Sequence, residues 1–144
     1  MRTAPLPEVA PRLALEKRKA VELMTPNPVS IREAATVREA VELLTRRGIS
    51  GAPVIDRAGR PVGVISRADI VVHDREAVDP AADAERVRDI MTPAVFCVPP
   101  DAPASRVVRQ MIELKVHRLF VVDDRGTLVG VISALDVLRH LAAP

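Results

Sequence analysis

Aromatic residues, cysteine and long apolar runs are scarce in this chain of 144 residues, and each shortage excludes a class of protein. The chain has two phenylalanines and neither tyrosine nor tryptophan, which argues against the aromatic stacking platforms of single-stranded nucleic-acid binders. Its single cysteine, Cys97, permits no intramolecular disulfide and no cysteine cluster for zinc. Because Cys97 lies in an apolar run, we expect a buried structural thiol and an aliphatic core.

Membrane-spanning and secretory segments are also missing from the pattern. No apolar stretch approaches the ~18 residues that a transmembrane helix needs. The first eleven residues contain three prolines and no apolar signal-peptide core. The sequence therefore predicts a soluble, cytoplasmic protein that makes no membrane contact.

Positive charge is concentrated at the start of the chain. Residues 1–20 carry five basic and two acidic side chains, whereas the other 124 residues carry 16 basic and 17 acidic ones. The pI of 9.2 therefore comes from an N-terminal arm and not from a broad basic face. This distribution argues against nucleic acid as a partner of the folded body.

The chain contains an internal repeat that overlays without a gap after a shift of 67 residues. The run Met24-Thr25-Pro26 falls on Met91-Thr92-Pro93, and Val62-Gly63-Val64-Ile65-Ser66 falls on Val129-Gly130-Val131-Ile132-Ser133. A period of this length exceeds that of a solenoid unit, so it indicates one small domain that has been duplicated.

Periodicity and turn signals predict a β-α-β-β-α order in each copy. Thr36-Val37-Arg38-Glu39 is a capping box that opens a helix ending at Gly48, and Asp56 to Gly59 forms the turn of a hairpin. We predict an N-terminal arm over 1–20, repeats over 21–73 and 87–140, a linker over 74–86 and a tail over 141–144. An extra helix is predicted from Arg12 to Leu23, and short strands over 29–31 and 95–98.

The segment in which the last strand of each repeat meets a helix carries the most chemistry. It places Ser66 and Asp69 in the first copy, and Ser133 and Asp136 in the second, at a helix N-terminus. Free amide groups there favour an anion, and the carboxylate can accept from both hydroxyls of a ribose. The same spacing also fits an ordinary N-cap with an acidic residue in the first turn, so both interpretations stay open.

The order of these motifs and their double occurrence resemble a tandem pair of CBS domains, also called a Bateman module. The resemblance covers about residues 21–140. It implies an α/β (α+β) fold in which two β-α-β-β-α repeats pack through their sheets with pseudo-twofold symmetry. It also implies adenosine ligands such as AMP, ADP, ATP or S-adenosylmethionine, no covalent cofactor, and a disk-shaped homodimer that acts on an effector protein.

The resemblance further implies two clefts, each made by the helix start of one repeat and the strand ends of the other. In this pattern Asp69 and Asp136 would hold the ribose, with Ser66 and Ser133 as the hydroxyl residues. The Asp136 cleft is expected to be walled by Asn27, Val29, Ser50, Gly51, Ala52 and Pro53. The Asp69 cleft is expected to be walled by Ala94, Phe96, Val116, His117, Arg118 and Leu119.

His117 and Arg118 break the symmetry, because the equivalent residues of the first repeat are Ser50 and Gly51. The pair resembles the phosphate-contacting His-Arg pair in the gamma subunit of AMP-activated protein kinase. A guanidinium suits phosphate oxygens, so this side is expected to favour the more phosphorylated ligand. The alternative is that Arg118 forms an ion pair with Asp123 or Asp124 and that His117 is merely exposed.

The resulting hypothesis is a non-catalytic regulatory module that binds an adenosine nucleotide between its repeats. The alternative is a ligand-free structural module that acts through dimerisation and protein contacts. An enzyme is not predicted, since no P-loop, metal-ligand set or Ser-His-Asp order is present. Adenine would have to rest on aliphatic side chains such as Val29 and Ile65.

Overall fold

The computed structural model describes residues 15–76 and 85–142, which form a mixed α/β structure with two sheets. The predicted fold class is confirmed. The elements in chain order are α1 (Ala20–Leu23), β1 (Thr25–Pro26), β2 (Ile31–Arg32), α2 (Val37–Arg47), β3 (Gly51–Ile55), β4 (Pro61–Ser66), α3 (Arg67–Glu76), α4 (Val87–Ile90), β5 (Cys97–Val98), α5 (Ala104–Leu114), β6 (Arg118–Val122), β7 (Leu128–Ser133) and α6 (Ala134–Ala142).

Helix α2 begins and ends where the sequence predicts. The Thr36 hydroxyl accepts from the backbone N–H of Glu39 at 3.1 Å, which satisfies one of the free donors at the helix start. Gly48 ends the helix in the left-handed conformation, with a φ of 63°. In the second repeat α5 ends at Lys115, which adopts the same conformation without being glycine. Its backbone N–H still reaches the carbonyls of the last turn.

Each sheet is a hairpin extended by one parallel strand. β3 and β4 pair antiparallel, with β2 parallel to β3; β6 and β7 pair antiparallel, with β5 parallel to β6. Both hairpins carry a register shift at the same repeat position, after Val54 and after Val121. The backbone geometry of the duplicated unit therefore follows its sequence repeat.

The first segment of each repeat joins the sheet of the other repeat. β1 pairs antiparallel with β7, so that Thr25 faces Val131. At the equivalent position Thr92 and Val64 exchange two backbone hydrogen bonds of 2.9 Å. Backbone pairing therefore links the two repeats at two related places, and neither sheet edge is left open there.

Two hydrophobic clusters form the core, and each combines residues of both repeats. Ala20 and Leu23 pack into the cluster of the second repeat around Leu119, Val121 and Ile132. Val87 packs into the cluster of the first repeat. The cluster members are aliphatic apart from Met111, as the shortage of aromatic residues predicts. Cys97 is half-buried, and this burial raises the pKa of its thiol.

Gly63 and Gly130 lie at the crossing points of these exchanged segments. A Cβ placed on Gly63 would lie 2.7 Å from Sδ of Met91 and 2.7 Å from the carbonyl oxygen of Thr92. A Cβ placed on Gly130 would overlap the side chain of Met24. Only glycine permits so close an approach of another chain segment to the middle of a strand.

The hairpin turns of the two repeats contact each other. The backbone N–H of Leu128 donates to the carbonyl of Gly59 at 2.9 Å. The Asp56 carboxylate accepts from the backbone N–H groups of Ala58 and Arg60, at 2.9 and 3.0 Å, and the donation from Arg60 is the main cause of its lowered pKa. Asp123 holds the second turn in the same way. The predicted turns therefore also act as a junction between the repeats.

The predicted helix over 12–23 is interrupted, because Lys19 is extended and pairs antiparallel with Pro103. Residues 15–16 are helical and α1 restarts at Ala20, while residues 12–14 lie outside the described residues. The strands predicted over 29–31 and 95–98 are shorter and occupy 31–32 and 97–98. Helix α3 runs into the predicted linker as far as Glu76, and residues 77–84 and 143–144 lie outside the described residues.

Within the described residues, no helix is long and apolar enough to cross a membrane.

Candidate functional site

The predicted Ser-Asp motifs both lie at the start of a helix that follows a strand. At α6 the backbone N–H of Ser133 donates to Oδ2 of Asp136 at 2.8 Å, and the backbone N–H of Asp136 donates to the Ser133 hydroxyl at 3.1 Å. The reciprocal bonds of a capping box hold both side chains. The cap interpretation is therefore confirmed. The cap uses Oδ2 of Asp136 and not Oδ1.

The second carboxylate oxygen of Asp136 faces only a loose ion pair. Nη1 of Arg139 lies 3.8 Å from Oδ1, and the Arg139 side chain is 69% exposed. That separation is too long for a hydrogen bond, and an ion pair with a side chain this exposed contributes little to stability. Oδ1 is thus able to accept hydroxyl donors from a ligand.

The equivalent motif at α3 is more fully bonded. Oδ2 of Asp69 accepts from both the backbone N–H and the hydroxyl of Ser66, each at 2.9 Å. Oδ1 of Asp69 accepts from the hydroxyl of Thr92 at 3.3 Å. The two sequence-equivalent carboxylates therefore differ in how many acceptor positions remain.

A cavity of about 1000 Å³ opens between the repeats beside Asp136. This volume is at the upper end for small-molecule sites. Its lining is mostly apolar, with a few polar side chains. The lining residues are Thr25, Pro28, Val29, Gly48, Ile49, Ser50, Gly51, Ala52, Pro53, Val64, Ala94, Phe96, Val116, His117, Arg118, Phe120, Val131, Ser133 and Asp136.

The cavity brings together residues that the sequence assigned to two separate clefts. Val29, Gly51, Ala52 and Pro53 line it together with Ser133 and Asp136. Ala94, Phe96, Val116, His117 and Arg118, which were expected beside Asp69, line the same cavity. This cavity therefore contains residues of both predicted clefts.

Four predicted site residues are not among the lining residues. Ser66 and Asp69 bond to each other, and Asp69 also accepts from the hydroxyl of Thr92. Leu119 is fully buried, because its side chain points into the hydrophobic cluster of the second repeat. Asn27 is exposed and left-handed, with a φ of 50°, and its backbone N–H donates to the carbonyl of Val129 at 3.2 Å.

Arg118 and His117 line the cavity, and Arg118 brings a positive charge to it. Both side chains are exposed. Among the side chains that the structure describes, Arg118 forms no ion pair with Asp123, Asp124 or another carboxylate, so the alternative pairing is not observed. A guanidinium with its five donors available is well suited to bind phosphate oxygens.

The sequence did not single out several wall residues. Thr25, Val64 and Val131 reach the cavity because β1 pairs with β7 and Thr92 pairs with Val64. The duplicated Met-Thr-Pro run was a signal for these positions, but it did not reveal that each run crosses to the other sheet. Phe120 reaches the cavity from β6 although it is almost fully buried.

The arrangement provides a carboxylate for a diol, a cation for an anion and an apolar wall for a flat ring. In the part of the chain that the structure describes, no cluster of three or more His, Cys, Asp or Glu side chains could hold a metal ion. The chemistry of the lining thus favours binding of an organic anion.

Comparisons with a family model and with solved structures both identify CBS domains. The family model described as CBS domain matches the chain twice, over residues 20–76 and 87–143. Among curated proteins, the chain is 36% identical over 141 residues to the magnesium transporter MgtE of Thermus thermophilus, covering 94% of this chain and 30% of the transporter. The chain spans between 24% and 43% of the first three curated relatives that it matches.

Solved structures of similar chains include complexes with adenine nucleotides. CBSX2 in complex with AMP is 30% identical, with a TM-score of 0.70, and the match covers 84% of this chain and 93% of that one. The CBS domain of a bacterial CNNM/CorC family Mg²⁺ transporter in complex with ATP is 26% identical, with a TM-score of 0.78, and covers 92% and 93%.

Proposed function

This chain belongs to the CBS domain family, and we propose that it is a non-catalytic regulatory module that binds one class of ligand, an adenosine nucleotide, in its central cavity. CBS domain pairs are generally regulatory modules. A ligand that bridges the repeats regulates only if it binds two arrangements of them with different affinity. A ligand that contacts both repeats can have such a difference in affinity, because its contacts depend on how the repeats are arranged.

One observation carries this proposal. A single cavity joins the Ser133-Asp136 helix start to the Arg118 guanidinium, which has no ion-pair partner among the described residues. Asp136 would accept the ribose hydroxyls, and Arg118 and His117 would contact phosphate. The complexes of similar chains with AMP and with ATP support this class of ligand. S-Adenosylmethionine, whose adenosine carries no phosphate, stays in the tested set.

A thermal unfolding panel tests the proposal. We expect ATP, ADP or AMP to raise the unfolding midpoint by roughly 5 °C or more at a concentration one hundredfold above Kd, because binding to the folded state alone stabilises it by mass action. The panel should include S-adenosylmethionine and NADH, with GTP as a control for the base and adenosine as a control for phosphate. An unchanged midpoint with every adenosine compound at millimolar concentration would contradict the proposal.

A second function, dimerisation, is favoured by an apolar surface on the last helix of each repeat. Val71 and Val72 on α3, and Leu135 and Leu138 on α6, are each more than half exposed. Val71 and Leu138 are repeat-equivalent, so both repeats contribute. Exposed apolar patches of this kind mark protein contacts. We propose that this surface, defined by these four residues, pairs two copies of the chain.

Light scattering after size-exclusion chromatography tests the pairing. We expect wild-type protein to elute with twice the chain mass and Leu138→Glu to elute as a monomer, because a buried unpaired carboxylate opposes association. Ile112→Glu is the matched control, since Ile112 is 70% exposed on α5 and lies outside this surface. A monomeric wild type, or dissociation by the control variant alone, would contradict it.

A further inference from the structure

We infer that the chain binds one nucleotide and not two, because the Asp69 carboxylate is already engaged by hydrogen bonds and does not line the cavity. This inference rests on the proposed function. The sequence repeat offers two equivalent Ser-Asp motifs, but the structure leaves only the Asp136 motif open to the cavity. Two independent observations carry the inference, one from hydrogen bonds and one from side-chain size.

Hydrogen bonding separates the two carboxylates. A carboxylate has about four acceptor positions. Asp69 already accepts three bonds, two from Ser66 and one from Thr92. Asp136 accepts one, from the backbone N–H of Ser133. A ribose diol brings two donors, so Asp136 accommodates both, whereas Asp69 must first release the Thr92 or Ser66 hydroxyl.

Side-chain size separates the two walls in the same direction. Val29, Ser50, Gly51 and Pro53 line the cavity together with Asp136. Their repeat equivalents, on the side that would face Asp69, are Phe96, His117, Arg118 and Phe120. The positions equivalent to these small residues therefore carry both aromatic residues of the chain, an imidazole and a guanidinium, which leave less room for a ribose beside Asp69. Ser66, Asp69 and Thr92 are not among the residues that line the cavity.

These differences give the two sides of the cavity different roles in binding one ligand. The side with the small residues admits the ribose at Asp136, and the side with the large residues contributes Arg118 and His117 to the phosphates of the same ligand. A second nucleotide would compete for Arg118 and His117, and its ribose would meet the carboxylate of Asp69, which already accepts three hydrogen bonds. One ligand thus spans the pseudo-twofold axis, and the binding stoichiometry is one per chain.

Isothermal titration calorimetry with ATP on the full chain tests this stoichiometry. We expect one ATP per chain, and native mass spectrometry at saturating ATP should add one nucleotide mass for each chain. Asp136→Asn should weaken ATP binding about tenfold or more, since it removes a charge-assisted acceptor. Asp69→Asn is the matched variant, with the same chemical change at the same repeat position, and should stay within about twofold of wild type.

The outcomes separate this inference from the proposed function. Two ATP molecules per chain, or equal weakening by the two variants, would overturn single occupancy while leaving nucleotide binding intact. If wild type binds none of the nucleotides in the thermal panel, the proposed function fails and single occupancy fails with it. Thermal unfolding shows whether Asp136→Asn is folded. If it is not, the number of ATP molecules bound per wild-type chain tests single occupancy by itself.

Discussion

Gly63→Ala is expected to lower the free energy of unfolding by about 2–3 kcal/mol, within the upper part of the range for overpacking. The added methyl group would lie 2.7 Å from the carbonyl oxygen of Thr92. That oxygen belongs to a backbone segment that pairs with Val64 through two hydrogen bonds of 2.9 Å, so it cannot move without breaking the pairing. Urea denaturation of the two proteins measures the change.

Gly130→Ala is the matched variant. Gly130 occupies the same repeat position as Gly63, but the atoms nearest to its added methyl group are side-chain atoms and not a backbone carbonyl. The atoms closest to its added methyl group belong to the Met24 side chain, which can change rotamer. We therefore expect a smaller loss of about 1 kcal/mol. Met24→Ala removes most of the side chain that the new methyl group would meet, so it should reduce the loss in free energy of unfolding caused by Gly130→Ala. Met91→Ala should leave most of the loss caused by Gly63→Ala, because the Thr92 carbonyl stays in place.

A double-mutant cycle makes this comparison quantitative. Equal losses for the two glycine variants, or relief of Gly63→Ala by Met91→Ala alone, would contradict the role assigned to the Thr92 carbonyl. The outcome also reports on the site, since the pairing of Thr25 with Val131 places Thr25 in the cavity wall. Variants that fold but loosen this pairing should bind nucleotide more weakly.

Arg118→Ala is expected to weaken ATP binding about tenfold or more. A charge-assisted hydrogen bond to phosphate contributes about 1.5–3 kcal/mol, and each 1.4 kcal/mol is a factor of ten in Kd. The loss should be greatest for ATP, smaller for AMP and smallest for adenosine, because the three ligands present decreasing negative charge to the guanidinium. Titration calorimetry with the three ligands measures this ranking.

Arg125→Ala controls for the change in net charge. Arg125 is an exposed arginine in the hairpin turn of the same repeat and does not line the cavity. It should leave ATP affinity unchanged within about twofold, the small effect expected of a remote, screened surface charge. An unchanged affinity of Arg118→Ala for ATP, or equal losses for ATP and adenosine, would contradict phosphate contact by Arg118.

Local sequence signals were enough to determine the architecture of each repeat. The Thr36 cap, the stop at Gly48 and the turn of Asp56 each depend on atoms within four residues along the chain. The reciprocal bonds of the Ser133-Asp136 motif are of the same kind. Such short-range geometry is specified by residue type and spacing, which explains why the cap of α2, its end and the hairpin turn were predicted correctly.

Contacts between distant segments were decided only by the tertiary structure. The sequence repeat does not say that each Met-Thr-Pro run pairs with the other sheet, or that Lys19 interrupts a helix to pair with Pro103. The resemblance implies two clefts with the same Ser-Asp motif, and the sequence-based prediction distinguishes them only by His117 and Arg118 against Ser50 and Gly51. The hydroxyl of Thr92, which lies 23 residues from Asp69 along the chain, makes the two carboxylates unequal.

The duplicated sequence therefore determined a pair of CBS repeats, with an aliphatic core and a Ser-Asp motif in each. The three-dimensional packing determined that one cavity opens at Asp136 and not at Asp69. The physical reason is that caps and turns are satisfied within a few residues. The acceptors left over for a ligand depend on which side chains of the other repeat reach them through space.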